Sequence, residues 1–395
     1  MFGWEYPPSH LGGLGVACRG MVRGLLRHGV RVTLVLPQAG EEEGADVLSP
    51  TDAVIETLNV RSLLTPYQTP DGYARRAQTI PREELLIYGS DMAAAIARYT
   101  EASLELTKEM DPDVIHCHDW MTYEAGTRAA IRHRRPLVAH IHATELDRTH
   151  FSPNEWICAR ERRGLEAADR IIAVSNYTKN ILVRHYGIRA EKISVVHNGS
   201  VYQPVQATLL TSYFRKGTRP MVLFLGRLVL QKGASQFLHM ASRVHAARPD
   251  VWFVIAGEGG QMGELIESAC ERGLQDCTVF AGKVHDDEVR KLYEQADCFV
   301  MPSLSEPFGL VALEAIAHGT PVVLSKQSGV REVIDHCFAV DFWDTEKMAD
   351  CVLTILRDEP LAMQLKSEAP RTLDRLSWHN QSGRIHSIYR QLTRT

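Results

Sequence analysis

The chain has no run of about 18 apolar residues, so no segment is expected to cross a membrane as a helix. It also has no surplus of positive charge. With 44 basic and 48 acidic residues the formal net charge is −4, which gives no reason to expect nucleic acid or an anionic lipid surface as a partner. The eight cysteines lack paired spacing and fall mostly in apolar or helical stretches. That argues against a disulfide framework and for reduced thiols in a cytoplasm. The start, MFGWEYPPSH, has no basic region leading into an apolar core, so no signal peptide is expected. Low-complexity tracts, short repeats and the GxGxxG dinucleotide fingerprint are all missing. The one Asp-x-Asp triplet, Asp111-Pro112-Asp113, precedes a strand. That is the wrong end for a metal-nucleotide site, so it is read as a helix end and turn cap.

What the chain does have is alternation. Apolar runs at 30–36, 113–116, 137–141, 170–174 and 193–196 read as buried parallel strands, followed by a second series at 221–225, 251–256, 278–281, 297–301 and 321–324. Amphipathic stretches at 15–28, 91–110, 155–168, 237–247, 286–295 and 346–357 separate many of them. Residues 1–4 read as a first strand entered part-way, as if several strand residues were missing or trimmed. The polar, irregular stretch 199–220 divides the two series. The expected fold class is α/β with two doubly wound, Rossmann-like domains, 1–205 and 206–375, and a last helix in 376–395. In such folds ligands bind beyond the C-terminal ends of the strands, so two facing domains place those ends across one cleft.

Six motifs fall at predicted strand ends. In SLSEPFGLVALEA (303–315), Pro307 and Gly309 reverse the chain, and a helix predicted over 310–318 starts with free amides. Such a helix start attracts phosphate. Glu306 in the turn and Glu314 inside the helix, with seven residues between them, can hold hydroxyls on either side of it. Phosphate flanked by polyols describes a nucleotide sugar; an ordinary helix start with two solvated acids is the bland alternative. The glycine-rich loop 7–15 also opens a helix. GRLVLQKG (226–233) brings Arg227 and Lys232 to a strand end, which suits a diphosphate that gains charge as its bond breaks. Gly257 opens a further turn that either wraps a nucleotide or closes the chain. The strand ends HCHDW (116–120) and HIH (140–142) place His116 with His118, and His140 with His142, on shared faces. Three readings fit these histidines: structural hydrogen bonding, polar lining of a sugar cleft, or zinc, for which a fourth ligand at a convincing spacing is lacking.

Taken in order, GGLG, HxHDW, the histidine at 142, ADRIIAVS at 168–175, HNG at 197–199, GRLxxQKG and EPFGLxxLEA resemble the GT-B fold retaining glycosyltransferases of family 4 over essentially the whole chain. Among these the chain is most similar to bacterial glycogen and starch synthase-like proteins. The resemblance implies a role for each matching residue. Gly13 and Leu14 offer amides to the donor pyrophosphate, and Arg227 and Lys232 clamp its phosphates. Glu306 lies near the donor sugar, with backbone contacts from Phe308, Gly309 and Leu310. Glu314 holds the ribose, His142 sits by the anomeric carbon, Gly257 is on the donor side, and Asp119 and His118 are on the acceptor side. The last helix crosses back onto the first domain.

The activity so implied is metal-independent transfer, with retention, from ADP- or UDP-glucose to an α-glucan, with no cofactor. The chain departs from the family pattern at Ser200-Val201-Tyr202 and in GEGGQM at 257–262. Both bear on nucleotide and sugar identity. Small-molecule, lipid or cell-surface polysaccharide acceptors stay open. So do a non-catalytic nucleotide-sugar-binding protein and an epimerase or phosphorylase of the same fold.

Overall fold

The computed structural model describes residues 1–6, 12–37, 56–59, 69–78, 91–200 and 219–394. Residues 7–11 of the glycine-rich loop and most of the expected interdomain linker lie outside the described residues.

The first sheet holds β1 (Thr33–Leu36), β2 (Glu56–Asn59), β3 (Ile115–His118), β4 (Leu137–Ile141), β5 (Arg170–Ala173) and β6 (Ile193–Val195). Phe2 makes parallel bridges to both Val35 and Cys117, so the chain start is the central strand. The order is therefore β2, β1, Phe2, β3, β4, β5, β6, parallel throughout. The second sheet holds β7 (Met221–Leu225), β8 (Trp252–Ala256), β9 (Thr278–Gly282), β10 (Cys298–Met301), β11 (Val322–Ser325) and β12 (Phe338–Val340) in the order β12-β11-β10-β7-β8-β9. Each sheet is wound outward from its centre in one direction and then in the other. The winding reverses between Phe2 and β3 in the first sheet, and between β7 and β10 in the second.

β7, β8, β10 and β11 are predominantly apolar and almost wholly buried, as parallel strands covered on both faces must be. The edge strand β2 (ETLN) carries little apolar signal and β12 (FAV) is only three residues long, which is why sequence pattern alone passes over them. β3 starts and ends two residues later than the apolar run suggests. It pairs with β4 through His118, opposite His140, so His116 and His118 lie inside the sheet and not beyond its end.

The helix Trp378–Leu392 crosses back onto the helix Gly13–Arg27, as the resemblance implied. Its apolar face joins Met21, Val22 and Leu25 of that helix and Val138 and Ile172 of the sheet in one core. Gly20 and Gly24 allow the close approach, and Ser382 Oγ donates to Met21 O (3.0 Å).

The two sheets are also tied directly. Ser175 Oγ donates to Pro307 O (2.6 Å), and Glu332 accepts from the amides of Asn176 (2.8 Å) and Tyr177 (2.7 Å) at the start of the helix Asn176–Tyr186. An acid there complements the positive end of the helix dipole.

Candidate active site

Both reversals of winding open toward the same cleft, and the loops leaving them carry the candidate residues. After β7 the chain turns through Gly226 and Arg227 to Gly233, which has φ +73°. A Cβ at Gly233 would lie 2.1 Å from Pro302 O, so only glycine lets this loop press against the one after β10. Gln231 locks the two loops by donating to Ser305 O (3.0 Å) and accepting from Leu304 N–H (2.9 Å). Lys232 Nζ thereby reaches Glu306 Oε2 at 2.7 Å, to which Ser303 Oγ also donates (3.2 Å). The lysine side chain is 21% exposed and that of Glu306 7%, so the pair is largely withdrawn from water.

Gly309, with φ +112°, turns the chain into the helix Leu310–Ala317, which has no side-chain cap on its first amides. One turn in, Glu314 accepts from Tyr293 OH (3.2 Å) and stays half-buried. The Phe308 ring packs in the core, while its carbonyl accepts from Val330 N–H (2.7 Å). Gly257 has φ +140° and a Cα so close to Gly226 O that a Cβ would lie 1.9 Å away. Its N–H donates to Gly282 O (2.8 Å). The missing side chain lets the two loops touch.

Across the cleft, the helix Gly13–Arg27 starts with Gly12 as its N-cap and no side-chain cap from that residue. A carboxylate from elsewhere takes the position. Glu5, 3% exposed, accepts from Gly15 N–H (2.8 Å), and a Cβ on Gly12 would lie 2.8 Å from its Oε2. Burial pushes the Glu5 carboxyl up to about 7, against the pull of the Gly15 amide and of Arg227 on the other domain. Sequence reading missed Glu5. Its signal was an acid just past the first strand, one turn of chain before the glycine loop.

Asp119 sits at φ 57°, ψ 167°, a conformation rare outside glycine and costing about 1–3 kcal/mol. Two hydrogen bonds hold it there: its N–H donates to His140 O (2.9 Å), and its carboxylate accepts from His142 N–H (2.7 Å). Burial raises its carboxyl to about 6. His142 is half-buried, and burial lowers its imidazole to about 3, so it is neutral near pH 7. His118, expected on the acceptor side, is instead fully buried, with Nδ1 3.0 Å from His142 Nε2. β3 ends later than expected, and this places His118 in the sheet, where it touches His142 and not the cleft.

A cavity of about 230 Å³ lies between the domains, lined by Leu14, Asp119 and Arg148 from one and Arg227 and Gln231 from the other. Arg148 is a second residue that sequence reading missed. It is held by Glu161 (2.6 Å) and Glu145 (3.1 Å) in a buried network. The short helix Glu145–Arg148 is capped by Thr144 and Asp147, and Asp147 Oδ1 accepts from Ser305 Oγ of the other domain (2.5 Å). The acid-bearing loop after β10 is thus bonded directly to the segment that follows His142.

Comparison with known proteins decides what this arrangement belongs to. Residues 11–200 match Glycosyltransferase Family 4, and residues 206–372 match Glycosyl transferases group 1. The chain is 31% identical over 383 residues to the glycogen synthase of Mycobacterium tuberculosis, covering 94% of this chain and 88% of that one. This chain belongs to glycosyltransferase family 4. Its fold is GT-B. Sucrose-phosphate synthase from Thermosynechococcus elongatus superposes with a TM-score of 0.76 at 21% identity, covering 99% of this chain and 98% of that one. The Anabaena protein HepE, solved with UDP and glucose, superposes with a TM-score of 0.71 at 19% identity, covering 99% of each. The family 4 enzyme is a glycosyltransferase related to glycogen synthase. Among its described residues, no helix is long and apolar enough to cross a membrane.

Proposed function

We propose that this family 4 glycosyltransferase moves a glucosyl unit from ADP- or UDP-glucose to an α-glucan, with retention at the anomeric carbon. The observation that carries the reading is the Lys232–Glu306 pair at the reversal of winding, on the same loop that brings Arg227 and Gln231 to the interdomain cavity. Glu306 suits sugar hydroxyls, and Glu314 suits the ribose. Arg227, Lys232 and the amides at Gly13, Leu14 and Leu310 suit a diphosphate. The likeness to a glycogen synthase supports a glucan acceptor, and the UDP and glucose bound by HepE support a nucleotide-sugar donor.

In this reading the bond from the anomeric carbon to the diphosphate oxygen breaks, and a bond to an acceptor hydroxyl forms on the same face. The acceptor proton passes to the departing diphosphate. The products are a nucleoside diphosphate and a glucan one unit longer. The fixed cations meet the charge that grows on the leaving group, so the step asks for neither a protein nucleophile nor a metal. All eight cysteines are free, which suits a cytoplasmic site of action.

The test is nucleotide release by the purified protein from ADP-glucose and UDP-glucose, with and without glycogen. Glycogen-dependent release from one donor is expected. Donor binding without glycogen-dependent release rejects the glucan and moves the acceptor to a small molecule, lipid or cell-surface polysaccharide.

Glu5 adds a pH dependence to donor binding. Its carboxyl is raised by burial, so it is neutral below about 7 and ionised above. The ionised form stands beside the amides expected to meet the diphosphate. The KM for donor is therefore expected to rise as pH climbs through this range, and Glu5→Gln is expected to flatten the rise. An unchanged KM profile in that variant would remove Glu5 from the donor site.

A further inference from the structure

Four imidazoles lie stacked beneath the site. His116 and His118 have ring centroids 4.5 Å apart, and His140 and His142 4.3 Å apart, with β3 and β4 in register. Five of their nitrogens are buried without a hydrogen-bond partner: Nε2 of His116, Nε2 of His118, both nitrogens of His140, and Nδ1 of His142. A buried polar atom without a partner loses its hydration and gains nothing in return, so five in one cluster call for an explanation.

We propose that His116, His118 and His140 bind one divalent transition ion of the zinc or cobalt class, as a structural site in the sheet beneath His142. The ligand nitrogens of these three residues lie within 4.8 Å of one another. A tetrahedral ion with bonds of about 2.0–2.1 Å needs them roughly 3.4 Å apart, which modest ring rotations supply. The outer partners are those of a metal site. His116 Nδ1 is bonded to the Tyr389 hydroxyl, and His118 Nδ1 to His142 Nε2. With the protons on Nδ1, both rings turn the lone pair of Nε2 inward. Cys18, His118 and His142 form an adjoining group of the same kind, but both groups need His118, so these described residues hold one ion and not two. The ion takes no part in sugar transfer. It joins β3 to β4 and, through Tyr389, to the helix Trp378–Leu392.

The full chain, stripped with a chelator, is titrated with Co²⁺ near neutral pH. One equivalent with visible ligand-field bands is expected, with X-ray absorption showing three imidazole nitrogens. Tyr389→Phe is expected to weaken binding about 10-fold or more by removing an outer partner, and His116→Gln to weaken it further. His28, His379 and His386 form a second stack, so His379→Gln serves as a control that keeps the ion. Three results would overturn the site: no binding by the wild type, fewer than three imidazoles around its ion, or binding lost in His379→Gln. The first two need no buried variant to fold.

Discussion

Lys232→Ala is expected to lower kcat by about 10²-fold or more, the usual scale for losing one fixed charge aimed at a leaving group. That is roughly 2.7 kcal/mol of transition-state stabilisation. The pairing in the structure adds a second effect. Glu306 is nearly buried and has Lys232 as its cationic partner at 2.7 Å, so the alanine leaves an acid facing little more than Ser303. Breaking one side of a buried pair costs about 3–5 kcal/mol of stability, and the lysine's partial exposure places this case at or below the low end. The two effects separate in the double variant Lys232→Ala/Glu306→Gln. Its Tm is expected to recover toward wild type, because no unpaired charge remains, while kcat stays low. If kcat in Lys232→Ala is near wild type, Lys232 does not serve the leaving group. If kcat recovers together with Tm in the double variant, its role is structural only.

Gly20→Val is expected to loosen the C-terminal helix from the first domain. A Cβ at position 20 would lie 2.2 Å from two ring atoms of Trp378, and the neighbouring Gly24 meets Ser382 at the same distance. Neither contact relaxes by a side-chain rotation alone, since Trp378 is wedged against Gly199 as well and position 24 also meets Ser382 Cβ and Trp378 O at 2.7 Å. Overpacking of this kind costs about 1–3 kcal/mol, which corresponds to a Tm loss of roughly 1–4 °C in a chain of this size. Gly20→Val/Gly24→Val should expose the segment before Trp378 to limited proteolysis, with far-UV circular dichroism largely retained. Full protection in the double variant would mean that the helices find another way to pack, and that the small residues are not what fixes the crossing.

Most of the sheet scaffold was legible. The runs at 137–141 and 221–225 match β4 and β7 residue for residue, because a strand buried on both faces must be continuously apolar. Strands β2 and β12 were not legible, since ETLN has one strongly apolar residue and FAV is only three residues long. The residues after β7 and β10 were legible as a set, because glycine and proline mark strand ends and charged residues there have few structural uses. Glu5 and Arg148 were not. Glu5 acts on an amide ten positions away, and Arg148 is one of many arginines until Glu161, thirteen positions on, fixes it against the cavity.

The sequence by itself determined the alternation of strands and helices, the break between two series, and the chemical kind of each strand-end loop, because these depend on local periodicity and turn chemistry. Tertiary structure decided which groups meet. Lys232 and Glu306 are 74 positions apart and Ser305 and Asp147 are 158 apart, and only the winding of the sheets and the facing of the domains bring them together. It also decided that His118 lies buried in the sheet, since the end of a strand is set by the ladder it pairs with and not by its own residues.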